Sequence, residues 1–148
     1  MSFPDTDDFA GDLPVEEAYA ILAKEERAAL VDVRTKPEWQ FVGVPDLTAL
    51  GKTPIFREWQ VYPAMQVAPD FVPALSDELQ RRGADKTNPV IFLCRSGARS
   101  RQAAIALTSA GWSQCYNVVD GFEGALDAER RRGALAGWKA RGLPWTQT

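Results

Sequence analysis

The chain has 148 residues, a formal net charge of -3, two cysteines and no histidine. Its length suits one ordinary domain, and its 45% hydrophobic and 25% charged residues suit a globular one with a core that needs no disulfide. The acidic balance argues against general nucleic-acid binding, and the missing histidine excludes Ser-His-Asp and Cys-His catalysis, a histidine general acid and His-ligated metals; two cysteines alone cannot complete a four-ligand zinc site.

Residues 1–13 read as a flexible acidic lead-in, and 14–148 as a single domain. The opening has the composition of neither a signal peptide nor a membrane span, and cysteines are few, so the expected compartment is the reducing cytoplasm. Pro14 opens a helical pattern, with Val15, Ala18, Tyr19 and Leu22 at helical spacing and Glu16 and Glu17 in the first turn. Ala29-Leu30-Val31-Asp32-Val33 reads as a buried strand, followed by a short helix from Pro37 through Trp39. Residues 43 to 54 are loop, and Ile55 to Trp59 the second predicted strand. A helix from Pro69 carries Phe71, Val72, Leu75 and Leu79 on one face. Val90-Ile91-Phe92-Leu93 is the clearest strand and runs straight into Cys94. Gly97 to Ala110 reads as helix and Tyr116 to Val119 as the last strand. This alternation predicts an α/β fold, a parallel sheet covered on both faces, with a site where a strand's carboxyl end meets the next helix.

Cys94 occupies such a point, in Cys94-Arg95-Ser96-Gly97-Ala98-Arg99-Ser100-Arg101. A helix N-terminus, unpaired amides and three nearby arginines all favour a thiolate, so no histidine base is required. Gly97 lets the backbone curl around an anion, and Ser96 and Ser100 either donate to the bound group or cap the helix. Asp32 and Arg34 read as structural, with a catalytic role as the alternative: an Asp at a strand end can accept backbone N–H groups, and Arg34 can pair with Glu38. Cys115 reads as a small buried hydrophobe, with a resolving thiol as the alternative. Trp59 and Tyr62 are candidates to flank the pocket mouth.

Four segments in order resemble the rhodanese domain family: Asp32-Val33-Arg34 with Pro37-Glu38-Trp39, the Cys94 to Ser100 loop, Asn117 to Phe122, and Gly137 to Trp145. The resemblance implies a three-layer fold around a five-stranded, mainly parallel sheet. It also implies sulfur transfer through a Cys94 persulfide, held by amides of the loop Arg95, Ser96, Gly97, Ala98, Arg99 and Ser100. Arg95 and Arg99 would bind an anionic donor such as thiosulfate. No metal or organic cofactor is implied, and the acceptor would be cyanide, a small thiol or a protein cysteine. The expected protein is a monomer without nucleic-acid or membrane partners. Two departures stand out: no histidine follows the first signature, and a basic insertion lies near 127–136, which reads as a solvated charge run, with a lid or a docking surface for a sulfur-accepting protein as the functional alternative.

Two other functions compete. Cysteine phosphatases and arsenate reductases use Cys-x5-Arg, in which an arginine forks onto a tetrahedral oxyanion. That position here is Ser100, and Arg99 comes one residue early. The other competitor is a non-enzymatic rhodanese-like module that carries sulfur or binds a partner; the intact loop counts against it.

Overall fold

Val90-Ile91-Phe92-Leu93 is apolar at every position, so a strand built from it needs cover on both faces. The computed structural model, which describes residues 8–147, supplies that cover. In chain order the elements are β1 (Gly11–Leu13), α1 (Val15–Lys24), β2 (Ala29–Asp32), α2 (Lys36–Phe41), β3 (Val44–Pro45), β4 (Ile55–Phe56), β5 (Gln60–Val61), β6 (Gln66–Val67), α3 (Phe71–Arg81), β7 (Val90–Leu93), α4 (Ala98–Ser109), β8 (Cys115–Val118) and β9 (Trp145–Thr146). The central sheet has five strands in the order β1-β8-β7-β2-β4, all parallel. This is the three-layer α/β arrangement expected from the sequence.

Side-chain alternation along β7 sorts the core. Val90, Phe92 and Cys94 face the layer of α3 and α4, against Leu75, Leu79, Ala103 and Leu107. Ile91 and Leu93 face the other layer, against Leu22 of α1, Phe122 and Trp138. Trp138 is fully buried and donates its indole N–H to the Pro144 carbonyl at 2.7 Å. The C-terminal segment thereby closes the α1 side of the sheet.

Several boundaries differ from the sequence reading. The first seven residues of the acidic lead-in lie outside the described residues. Gly11–Leu13, read as lead-in, is an edge strand, with Asp12 paired to Asn117 in register. A three-residue strand with alternating exposure is too short to register as a periodic pattern. The strand expected over 55 to 59 stops at Phe56. The chain then bends back, and Trp59 N–H bonds the Val33 carbonyl at 3.1 Å. The next stretch forms a small antiparallel hairpin, β5–β6. The 127–136 segment is a run of turns tied at its base: Gly133 N–H bonds Glu123 O, and the Arg132 guanidinium bonds Gly124 O. No helix among the described residues is long and apolar enough to cross a membrane.

Candidate active site

β7 ends at Leu93 and α4 begins at Ala98, so four residues make the turn between them. Cys94 is the first of these and is 1% exposed. The turn closes because Gly97 adopts φ 108°, a conformation side chains disfavour, and because a Cβ there would collide with the Val119 carbonyl. With Gly97 so placed, its N–H donates to Cys94 Sγ at 3.1 Å. From below, the segment after β8 holds the loop: Phe122 N–H bonds Cys94 O, and Glu123 and Gly124 N–H bond Arg95 O. Trp138 N–H bonds Gly121 O in turn, so the buried tail supports the loop's own support.

Above Cys94 lies a cleft of about 340 Å³ lined by Glu38, Gln60, Met65, Cys94, Arg95, Ser96, Ala98 and Arg99. Arg95 is exposed at its rim. Arg99 is engaged: its two terminal nitrogens meet the two Glu38 oxygens at 2.7 and 3.0 Å. Glu38 Oε1 also accepts the Thr35 N–H at 3.2 Å and hydroxyl at 2.9 Å, so one carboxylate joins α2 to α4. Burial disfavours the charged form of Glu38. The Arg99 guanidinium and the Thr35 bonds outweigh it and hold the carboxyl below its ordinary value. Burial likewise works against Arg99, and Glu38 outweighs it and raises the guanidinium.

The pairing expected between Arg34 and Glu38 is therefore corrected. Arg34 pairs with Asp32, with contacts of 3.0 and 2.7 Å, and both side chains are fully buried. Residues two apart on an extended chain point to the same side, and a buried guanidinium takes the carboxylate within reach. Asp32 also accepts the Arg34 N–H, as anticipated. Gly43 O and the Phe122 ring, 4.2 Å from the guanidinium carbon, complete the setting. This pair braces the end of β2 against the segment after α2, at Gly43, and against the post-β8 turn, at Phe122, and does not line the cleft.

The two serines separate. Ser96 lines the cleft, whereas Ser100 is buried with its Oγ 3.1 Å from Cys94 Sγ. Neither caps α4, whose N-cap is Gly97. Cys115 is buried, and that burial pushes its thiol up to about 11. It stands opposite Val90, four residues back along the sheet from Cys94, which is about 13 Å and beyond disulfide reach. Trp59 packs edge-on to Phe71 at 4.9 Å, in the core. Tyr62 sits exposed in the hairpin, and Gln60 and Met65 are the hairpin residues that wall the cleft. Those two, and the contacts of Asn117 with Ser100 and with Asp12, were not legible in the sequence, since no local motif marks them.

The chain matches the family described as STR4 middle domain over residues 11–148. It is 39% identical to the uncharacterized protein RC0915 of Rickettsia conorii over 129 residues, 87% of this chain and 91% of that one. It is 31% identical to the thiosulfate sulfurtransferase GlpE of Pseudomonas syringae pv. syringae over 111 residues, 75% of this chain and 82% of the relative. The crystal structure of Rv0390 from M. tuberculosis superposes with a TM-score of 0.82 at 47% identity, covering 95% of this chain and all of that one.

Proposed function

The chain belongs to the STR4 middle-domain family, and from that premise we propose that it is a rhodanese-type sulfurtransferase working through a Cys94 persulfide. The observation that carries this reading is the seat of Cys94 Sγ at the base of an arginine-rimmed cleft, receiving the Gly97 amide at 3.1 Å. The named thiosulfate sulfurtransferase among the relatives supports the same class of reaction.

The Cys94 thiolate attacks the outer sulfur of thiosulfate or a related sulfane donor. The donor's S–S bond breaks, and sulfite leaves with the bonding electrons. The new persulfide carries its charge on the outer sulfur, close to the loop amides and the start of α4. An acceptor nucleophile (cyanide, a small thiol or a protein cysteine) then attacks that outer sulfur, and Cys94 departs as thiolate. Arg95, exposed at the rim, draws in the anionic donor. Arg99 positions the loop through Glu38. No step calls on a metal or an organic cofactor, and the working unit is taken as a cytoplasmic monomer.

An oxyanion-transferring cysteine enzyme needs an arginine free to fork onto the anion. Here Arg99 is forked onto Glu38, and the position that such enzymes give to arginine is Ser100, which touches the sulfur. Both facts favour sulfur as the cargo. The test is intact mass after thiosulfate treatment. The expected result is a gain of one sulfur on Cys94, removed by cyanide and absent in Cys94→Ser. An unmodified Cys94 together with wild-type thiocyanate production by Cys94→Ser would sink the proposal.

A further inference from the structure

Behind Cys94 lies a chain of polar groups that the reaction above does not use. Ser100 Oγ is 3.1 Å from Cys94 Sγ and 2.5 Å from Asn117 Oδ1, and Asn117 Nδ2 donates to Asp12 Oδ1 at 2.9 Å. Ser100 and Asn117 are buried, while Asp12 on β1 is exposed.

The proton count sets the direction of this chain. A carboxylate offers only acceptors, so Asp12 requires the NH2 end of the Asn117 amide. That turns Asn117 Oδ1 toward Ser100, and an amide oxygen has no proton to give. Ser100 has one, and donates it to Asn117. Its lone pairs are left facing Cys94 Sγ. A thiol can donate into them and a thiolate cannot. In a persulfide the charge has moved to the outer sulfur, and the inner sulfur has no need of the Ser100 proton.

We propose that Asp12, Asn117 and Ser100 form a polarity relay that withholds one hydrogen bond from Cys94 whenever it is a thiolate and thereby favours the thiolate's conversion to the persulfide. The persulfide half rests on the function proposed above; the thiolate half stands on the geometry alone. All three are positioning residues. Asp12 acts through Asn117, and Asn117 through Ser100.

Other charges surround the sulfur. Arg95, Arg99 and Glu38 line the cleft, the Asp32–Arg34 pair ends β2, and Asp120 and Glu123 lie on the turn that holds the loop. Arg101 lies one turn into α4, over the Phe9 ring. All of these stay in place in the variants below.

The experiment is a pH titration of the Cys94 thiolate by its ultraviolet absorbance, with Cys94→Ser as the blank for Cys115 and the tyrosines. In Asp12→Asn, residue 12 can donate, so the Asn117 amide is free to turn and Ser100 free to donate to sulfur. The thiolate fraction at a fixed pH below the midpoint rises about tenfold. In the Asp12→Asn background, Ser100→Ala cancels that gain; in the wild-type background it produces no comparable loss of thiolate. Lost Coulomb repulsion from Asp12 would instead give the same gain with and without Ser100, and that additive result overturns the relay. Should Ser100→Ala fail to fold, Asn117→Ala takes its place as the background, since it cuts the link between Asp12 and Ser100. An Asp12→Asn gain that vanishes there supports the relay, and one that persists is Coulombic and overturns it. No sulfur donor enters this titration, so it can fail while Cys94 still loads sulfur, or succeed if Cys94 never does.

Discussion

Arg95, in the turn after β7, and Arg99, in the first turn of α4, are four residues apart and do different work. Arg99 has both terminal nitrogens on Glu38, while Arg95 is exposed over the cleft. Arg95→Ala is expected to raise the KM for thiosulfate about tenfold and to leave kcat within about threefold, the signature of lost donor capture. Arg99→Lys keeps a positive charge but loses the planar fork, so it disturbs the loop's position and lowers kcat more than it raises KM. Steady-state kinetics on the two variants separates the roles; equal effects on both parameters would show the assignment to be wrong. At Gly97 the demand is geometric. Any side chain there meets the Val119 carbonyl and a disfavoured φ together, so Gly97→Ala displaces the amide that donates to Cys94.

Between elements, the Glu38–Arg99 pair is the bond from α2 to α4. Its side chains are 19% and 17% exposed, so it is screened less than a surface pair. Glu38→Gln breaks the fork and leaves Arg99 half-buried without its counter-charge, a loss of about 1–3 kcal/mol in denaturant unfolding. The sign with pH follows from the lowered carboxyl. Its contribution is fully present above its ordinary value of 4.5 and is lost as pH falls through the lower folded value. The wild-type protein should therefore lose stability faster than Glu38→Gln below about pH 4.5, the gap closing in acid. A gap that stays constant from neutral pH into acid would contradict this. α2 was readable from Pro37 onward, and Glu38 was visible as a candidate brace. Its partner was not, because Arg99 lies 61 residues further along.

At the scale of the whole molecule, the parallel sheet puts the carboxyl ends of its strands on one edge, and everything gathered at Cys94 comes from that edge. The support is layered: Trp138 holds Gly121, and residues 122–124 hold Cys94 and Arg95. Trp138→Ala empties the centre of the α1 side and should cost about 3–5 kcal/mol, with a lower thermal midpoint. Its specific activity per folded molecule should fall as well, since the post-β8 turn loses its anchor. Unchanged activity at full folding would mean that the turn keeps its place without the tail.

The residues themselves determined the features carried by contiguous runs. The apolar strand Val90 to Leu93, the switch into α4 and the cysteine between them are local patterns, and local backbone chemistry forms them wherever the chain goes. The exclusion of histidine chemistry was equally complete from composition. Only the tertiary structure decided the partners of the polar groups. Glu38 turned to Arg99, 61 residues further along, and Asn117 to an Asp12 that is 105 residues away on a three-residue edge strand. A buried polar group must pair with whatever adjacent strands and helices bring within about 3 Å, and sequence spacing carries no record of which strands are adjacent.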